Sequence, residues 1–184
     1  MRLLPCLLPA VIFLILTEHT RAADEPKGTL VKFDKLSSTT PADWKSEKPI
    51  NRLRSHQFRL PAAKDSKDAE IYIFPDLTKT VEENFARYRE QFIPPEGKTV
   101  DDIARVAKIE VGKSKISILD VQGTWIYKER PFDPKSKTEE RANSRVIFVI
   151  FTTDDGNYLI RLSGPAPTVT QHAKPFYDWI KAFK

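Results

Sequence analysis

From Ala107 to Val111 the chain alternates: Ala107, Ile109 and Val111 point one way, Lys108 and Glu110 the other. A period of two is that of a half-buried strand. The turn "GKS" and the run "KISILDVQGTWIY" complete a first hairpin. "RVIFVIFTT", the turn "DDGN" and "YLIRLSG" make a second, in which Asp155-Gly156 is the turn signal. "RVIFVIF" has no polar alternation, so the pattern predicts a central strand covered on both faces. Earlier, "RSHQFRLPAA" and "AEIYIFP" read as two more strands joined across Pro61 and "AAKDSKD".

Two stretches have helical period instead. Val81, Phe85, Tyr88 and Phe92 recur at i, i+4, i+7 and i+11. Thr80 and Glu83 have the spacing of a capping box, and Pro94-Pro95 stop the helix. Val169, Ala173, Phe176, Ile180 and Phe183 form a second stripe near the C-terminus. Thr168 with Gln171 is its candidate capping box, and Pro175 predicts a kink or a later start. Strands joined by tight turns are antiparallel. The order strands, helix, two hairpins, helix therefore predicts an α+β fold, an antiparallel sheet flanked by helices.

The N-terminus departs from both patterns. Arg2 precedes an apolar run from Leu3 to Leu16, and "TEHTRAA" ends in small residues. This is the layout of a signal peptide, residues 1–22, cleaved near Ala22 or Ala23. As a helix the run reaches about 21 Å, short of the roughly 30 Å hydrocarbon core. It therefore predicts no stable membrane insertion after cleavage, with a retained anchor as the rival reading. Residues 23–48 read as an irregular segment with "TLVKF" as a possible short strand and Trp44 as its apolar anchor. Residues 49–184 read as one α+β domain with a variable loop, 131–143. That loop has alternating charges and little apolar content, so it is expected to be mobile and outside the sheet.

Composition narrows the chemistry. Cleavage removes Arg2, Arg21 and Glu18, so the net charge falls from +5 to +4. Cys6 and Met1 leave too, so the mature chain forms no disulfide and relies on its core. The basic excess is dispersed: Lys128 to Arg145 holds six basic and four acidic residues in alternation. No basic stripe with a nucleic-acid-binding module is present, and nucleic acid is not an expected partner. His56 and His172 lie far apart with no second His at ligand spacing, so neither a metal nor a cofactor is expected. There is no glycine-rich phosphate loop and no G-x-S-x-G elbow. Asp154-Asp155 suits a turn. Asp120, inside "SILDVQG", either reaches solvent or meets an Arg.

The order of Trp44, "LRSHQFRLP", "ENFARYREQF", "GTW", "YLIRLSGP" and a final "F..WIKAF" resembles uncharacterised exported bacterial proteins of PsbP-like fold. That fold is named for an extrinsic photosystem II subunit and shared with a Ran-binding nuclear import factor. In such relatives the helix reads Asn-x-x-Arg-Trp-x-x-Gln-Phe; here it is Asn84, Arg87, Tyr88, Gln91 and Phe92, with Tyr in place of Trp. The resemblance implies an α/β/α sandwich and no particular activity. Asn84, Arg87, Tyr88 and Gln91 are the candidate binding residues; the competing reading is that they tie the helix to its own sheet.

Three functions remain in view. The first is an exported non-catalytic domain, periplasmic or extracellular, that binds a partner protein, an envelope component or a small ligand. The second is a hydrolase-type enzyme with a site assembled from distant Asp, His and Arg residues. The third is an assembly factor for an envelope or membrane complex. Intact-mass measurement of the exported protein should give a chain beginning near Ala23; a membrane-bound species retaining Met1 would contradict that.

Overall fold

The structure, a computed structural model, describes residues 27–75, 77–128, 133, 135–154 and 156–184. The expected signal peptide lies outside the described residues, apart from which the chain runs through strands β1 (Leu30–Phe33), β2 (Leu36–Thr39), β3 (Lys45–Glu47), β4 (His56–Leu60) and β5 (Ala69–Phe74). Helix α1 (Val81–Arg89), strand β6 (Phe92–Ile93) and helix α2 (Val100–Ile103) follow. The hairpins are β7 (Ala104–Val111) with β8 (Ser114–Lys128), and β9 (Thr138–Thr152) with β10 (Asn157–Pro165); helix α3 (Ala166–Lys181) closes the chain. The main sheet has the order β3-β4-β5-β10-β9-β8, with β6 and β7 both paired to the far edge of β8. Every pairing is antiparallel. The expected α+β sandwich is the observed one.

β9 explains its lack of alternation. Ile147, Val149 and Phe151 enter a core with Val169, Phe176 and Ile180 of α3. Val146, Phe148 and Ile150 enter a second core with Phe85 and Tyr88 of α1. Both faces are dry, so both must be apolar. Thr80 accepts from the Glu83 N–H at 3.2 Å and Glu83 Oε2 accepts from the Thr80 N–H at 2.9 Å, the capping box expected for α1.

Three expectations need correction. Residues 23–48 are not simply irregular. β1 and β2 form a hairpin whose Val31 and Phe33 are buried in the α3-side core, and β3 joins the main sheet. Trp44 is the expected anchor, edge-on to Trp179 at 5.5 Å between centroids. The short strand expected in "TLVKF" is β1, and what local pattern does not show is its hold by long-range contacts, including reciprocal backbone bonds between Ser37 and Lys184 of 3.0 and 3.2 Å.

Second, α3 begins at Ala166 directly after β10 and runs through Pro175. Thr168 is inside the first turn and fully buried, where it donates to the Lys67 carbonyl at 2.8 Å and accepts from the Ala63 N–H at 3.2 Å. A side chain so occupied does not cap. Pro175 is exposed, as is Gln171 one turn earlier, so the carbonyl deprived of its donor is on the side open to water.

Third, the loop is shorter than 131–143. Thr138, Glu139, Glu140 and Arg141 pair with Lys128, Tyr127, Ile126 and Trp125 in β8, after a register shift between Gly123 and Trp125. The polar sequence hides this strand because its hold is cross-strand: the Arg141 guanidinium lies 3.5 Å from the Tyr127 ring centroid. A Gly/Ser linker replacing Lys135–Ala142 should therefore lower the melting temperature, since it removes those pairs, each contributing roughly 0.2–1 kcal/mol. Replacing only Lys135–Lys137 should leave the melt unchanged. Equal melts for the two variants would show that the ribbon adds nothing.

Candidate functional site

Asp120 meets an arginine. Arg145 grips it with Nε to Oδ1 at 2.9 Å and Nη2 to Oδ2 at 2.6 Å, and adds Nη1 to Thr170 Oγ1 at 3.0 Å. Tyr177 donates to the same carboxylate at 3.3 Å, and burial raises its pKa to about 12. This network pins α3 to the sheet and is saturated. The histidines are equally committed to structure. His172 is buried with Nε2 2.9 Å from the Pro61 carbonyl. His56 has Nδ1 3.1 Å from Ser55 Oγ, and desolvation lowers its pKa. Neither is hydrogen-bonded to a carboxylate of the described residues.

The opposite face of the sheet is different. Register places Gln57, Tyr72, Arg161, Phe148 and Leu119 in one row across five strands. α1 covers the Phe148 end, where the Tyr88 ring stacks on Phe148 at 4.2 Å and 4°. The other end is not covered by the helix. A cleft of ≈ 1210 Å³ opens there, lined among others by Gln57, Glu70, Tyr72, Trp125, Tyr127 and Arg141. Gly164 sits in its wall because β5 passes too close for a side chain: a Cβ there would meet Ala69 Cα at 2.9 Å. A smaller recess, ≈ 630 Å³, is bounded by Val81 and Glu82 and by residues of the β7–β8 hairpin, with Lys108, Glu110 and Lys115 at its charged edge. It has no buried polar group lacking a partner and offers less chemistry.

Beside the larger cleft, cations and rings interleave. Arg54 stacks its guanidinium carbon 3.6 Å from the Tyr72 centroid. Arg161 lies 5.0 Å from Tyr72, 5.2 Å from Trp125 and 5.9 Å from Phe74. The Tyr72 hydroxyl donates to Glu70, and its pKa is raised by burial and by that carboxylate. Arg54 donates Nη1 to Gln57 Oε1 at 3.0 Å, but its Nε is buried without a partner. Arg161 donates to no described residue at all; its Nε is sealed from water and unpaired. Burial lowers its pKa, the direction expected for a cation short of hydration and of a counter-charge.

The four residues expected from sequence lie along the border of this face. Asn84 is fully buried and donates to the Lys79 and Thr80 carbonyls at 3.0 and 2.8 Å. Arg87 donates Nη2 to Asn84 Oδ1 at 3.0 Å and stands 5.2 Å from the Tyr88 centroid, its Nε unpaired. Tyr88 is buried, which raises its pKa. Gln91 accepts from Trp125 Nε1 at 3.4 Å, and its carbonyl accepts from the Ile126 N–H at 2.8 Å. The polar line is thus occupied in tying α1 to its own cap and to β8, and only Arg87 keeps a buried donor free.

Sequence reasoning missed Arg54, Tyr72, Trp125 and Arg161. The signal was a charged residue inside the apolar strand "YLIRLSG", the same signal that drew attention to Asp120. Among the described residues no group of His, Asp and Glu is placed to hold a metal ion. No described helix is long and apolar enough to cross a membrane.

No family model matches the chain, and no curated protein matches it. Two solved structures are similar in fold. One is the crystal structure of a protein of unknown function from Pseudomonas aeruginosa, 15% identical, with a TM-score of 0.45 over 84% of this chain and 94% of that one. The other is the solution structure of cyanobacterial PsbP from Synechocystis, 11% identical, with a TM-score of 0.48 over 86% of this chain and 92% of that one. The second carries the name of the fold that the sequence motifs resemble, and both likenesses concern fold alone.

Proposed function

We propose that this chain is an exported, non-catalytic binding domain that takes a partner protein, envelope component or small ligand into the cleft on the α1 side of its sheet. One observation supports this reading above the others. α1 does not reach the Gln57–Tyr72 end of that face, and beside the cleft there stand two arginines, Arg54 and Arg161, neither of which has an ion-pair partner among the described residues. Buried donors without acceptors are uncommon; Trp44 and Trp179 leave such N–H groups in the α3-side core too, but Arg54 and Arg161 are charged and stand beside a cleft. The catalytic alternative draws less support, because His56 and His172 lie away from carboxylates and are spent on Ser55 and Pro61.

The test is native capture from a cell-envelope extract, with mass spectrometry of whatever remains bound, large or small. The wild-type protein should retain a defined species that Tyr127→Ala loses. Tyr127 is half-buried on the β8–β9 ribbon in the cleft wall, so its removal should open the wall without unfolding the sheet. Retention of the same species by Tyr127→Ala would move the contact elsewhere.

Arg87→Ala separates support from recognition. The variant loses one hydrogen bond to Asn84 and a stack on Tyr88, and should lose about 1–2 kcal/mol of stability while still capturing the partner. An unchanged melt with lost capture would instead place Arg87 in the contact.

A further inference from the structure

We infer that Arg161 is the receptor for an oxyanion, a carboxylate or phosphate group, admitted on the α1 side of the sheet beside Tyr72, Phe74 and Trp125. This inference rests on the reading that this face binds a ligand, and it assigns the ligand's chemistry.

The protein supplies its own comparison. Arg145 is comparably enclosed, and it is answered by a bidentate carboxylate, a threonine and a tyrosine. Arg59 is answered by Glu47 at 2.6 Å, with Glu70 and Asp68 at 3.9 and 4.0 Å. Arg161 lies among three aromatic rings, and Glu70 acts on it only through space, without a hydrogen bond or an ion pair. Ring faces attract the positive charge but accept its N–H groups poorly, so a fork of donors is left over. That fork matches the two oxygens of a carboxylate or phosphate.

The surroundings point the same way. Arg54 shares the Tyr72 ring with Arg161, and Arg87 stands beside Tyr88, so cations gather on this row, while the carboxylates of Asp65, Asp68, Glu70, Glu139 and Glu140 line the adjoining cleft. The nearest acidic group on this row and the next is Glu70, which is already engaged by the Tyr72 hydroxyl and faces Arg59. No internal group is free to neutralise the patch. Arg161 is half-buried, and its terminal nitrogens, unlike its Nε, are not among the unpaired atoms sealed from water. An anion can therefore reach the terminal nitrogens without disassembling the core.

Trp125 reports on the site. Its indole N–H bonds to Gln91, and its ring is 5.2 Å from Arg161, whereas Trp44 and Trp179 belong to the other core. Three indole signals in a proton–nitrogen correlation spectrum, assigned with Trp125→Phe, can be followed during titration with sodium phosphate or sodium acetate at constant ionic strength. The Trp125 signal should shift saturably, and those of Trp44 and Trp179 should not. Arg161→Gln should weaken the binding about tenfold or more. Arg59→Gln, a change at an already paired arginine, should leave it intact.

Thermal melts guard against misreading. An arginine held unpaired for a ligand costs the free protein stability, so Arg161→Gln should melt at the same temperature as wild type or higher. A lower melting temperature would make the guanidinium a packing element and overturn the inference. So would a Trp125 signal that ignores both anions, or a response that survives in Arg161→Gln. Vesicles of phosphatidylglycerol, set against phosphatidylcholine, separate the sources: binding to the former that requires Arg161 places the oxyanion on a lipid headgroup, and response only to the soluble salts places it on a free ligand. If no anion binds but capture from the envelope still requires Tyr127, the face is a binding site and the assigned chemistry is wrong.

Discussion

The two-sided burial of β9 is the constraint on which the rest of the structure depends. One strand sends Val146, Phe148 and Ile150 to one core and Ile147, Val149 and Phe151 to the other. Each of these side chains must be sealed from water, and burying one contributes roughly 1.5–3 kcal/mol. The sheet therefore needs a cover on both faces, and the chain has unequal covers to give. α3 is sixteen residues long, about 24 Å, and is joined by the β1–β2 hairpin and Trp44. α1 is nine residues, about 14 Å. Six strands from β3 to β8, at roughly 4.8 Å each, span about 24 Å between the outer two.

A helix of that length cannot roof a sheet of that width. α1 seats Phe85 and Tyr88 over the β8–β9 half, where the row reads Phe148 and Leu119. Over the β4–β5–β10 half the row reads Gln57, Tyr72 and Arg161, and there Arg54 rather than the helix lies over Tyr72 and bonds Gln57. The change from apolar to polar along one cross-strand row thus follows the edge of the helix. The cleft is the area the short helix does not reach; the capping box at Thr80 sets its start, and it ends at Arg89, before β6 and short of the stop expected at Pro94-Pro95.

What the sequence made legible was what local pattern determines. The α1 cap, the period-two strands and the two hairpin turns are written within a few residues of one another; Gly112, at φ 59°, supplies the left-handed turn between β7 and β8. What it hid was held by distant partners. β1 and β2 are ordered by α3, more than a hundred residues away. The "TEER" end of β9 looks like a solvated loop until Tyr127 is set opposite Glu139 and Arg141 is laid over its ring. The site was hidden for the same reason. Arg54, Tyr72, Trp125 and Arg161 come from four elements, and each alone reads as an ordinary loop or strand residue. Asn84, Arg87 and Gln91 were conspicuous because their spacing is helical, yet Gln91 falls just past the end of α1, and most of their capacity is spent on the α1 cap and on β8.

The treatment of arginine separates the two faces of the molecule. On the α3 side, Arg145 is desolvated and fully answered, because an isolated buried charge costs several kcal/mol and a bidentate carboxylate offsets much of it. On the α1 side, Arg161 is desolvated and answered only by rings. Glutamine or methionine would fill that position in a strand at lower cost. The chain thus pairs its arginine in one core and leaves another without an ion pair beside a cleft. The polar line beside α1 is spent on structure: Asn84 bonds the Lys79 and Thr80 carbonyls at the helix start, and Gln91 bonds Trp125, which holds the helix against β8.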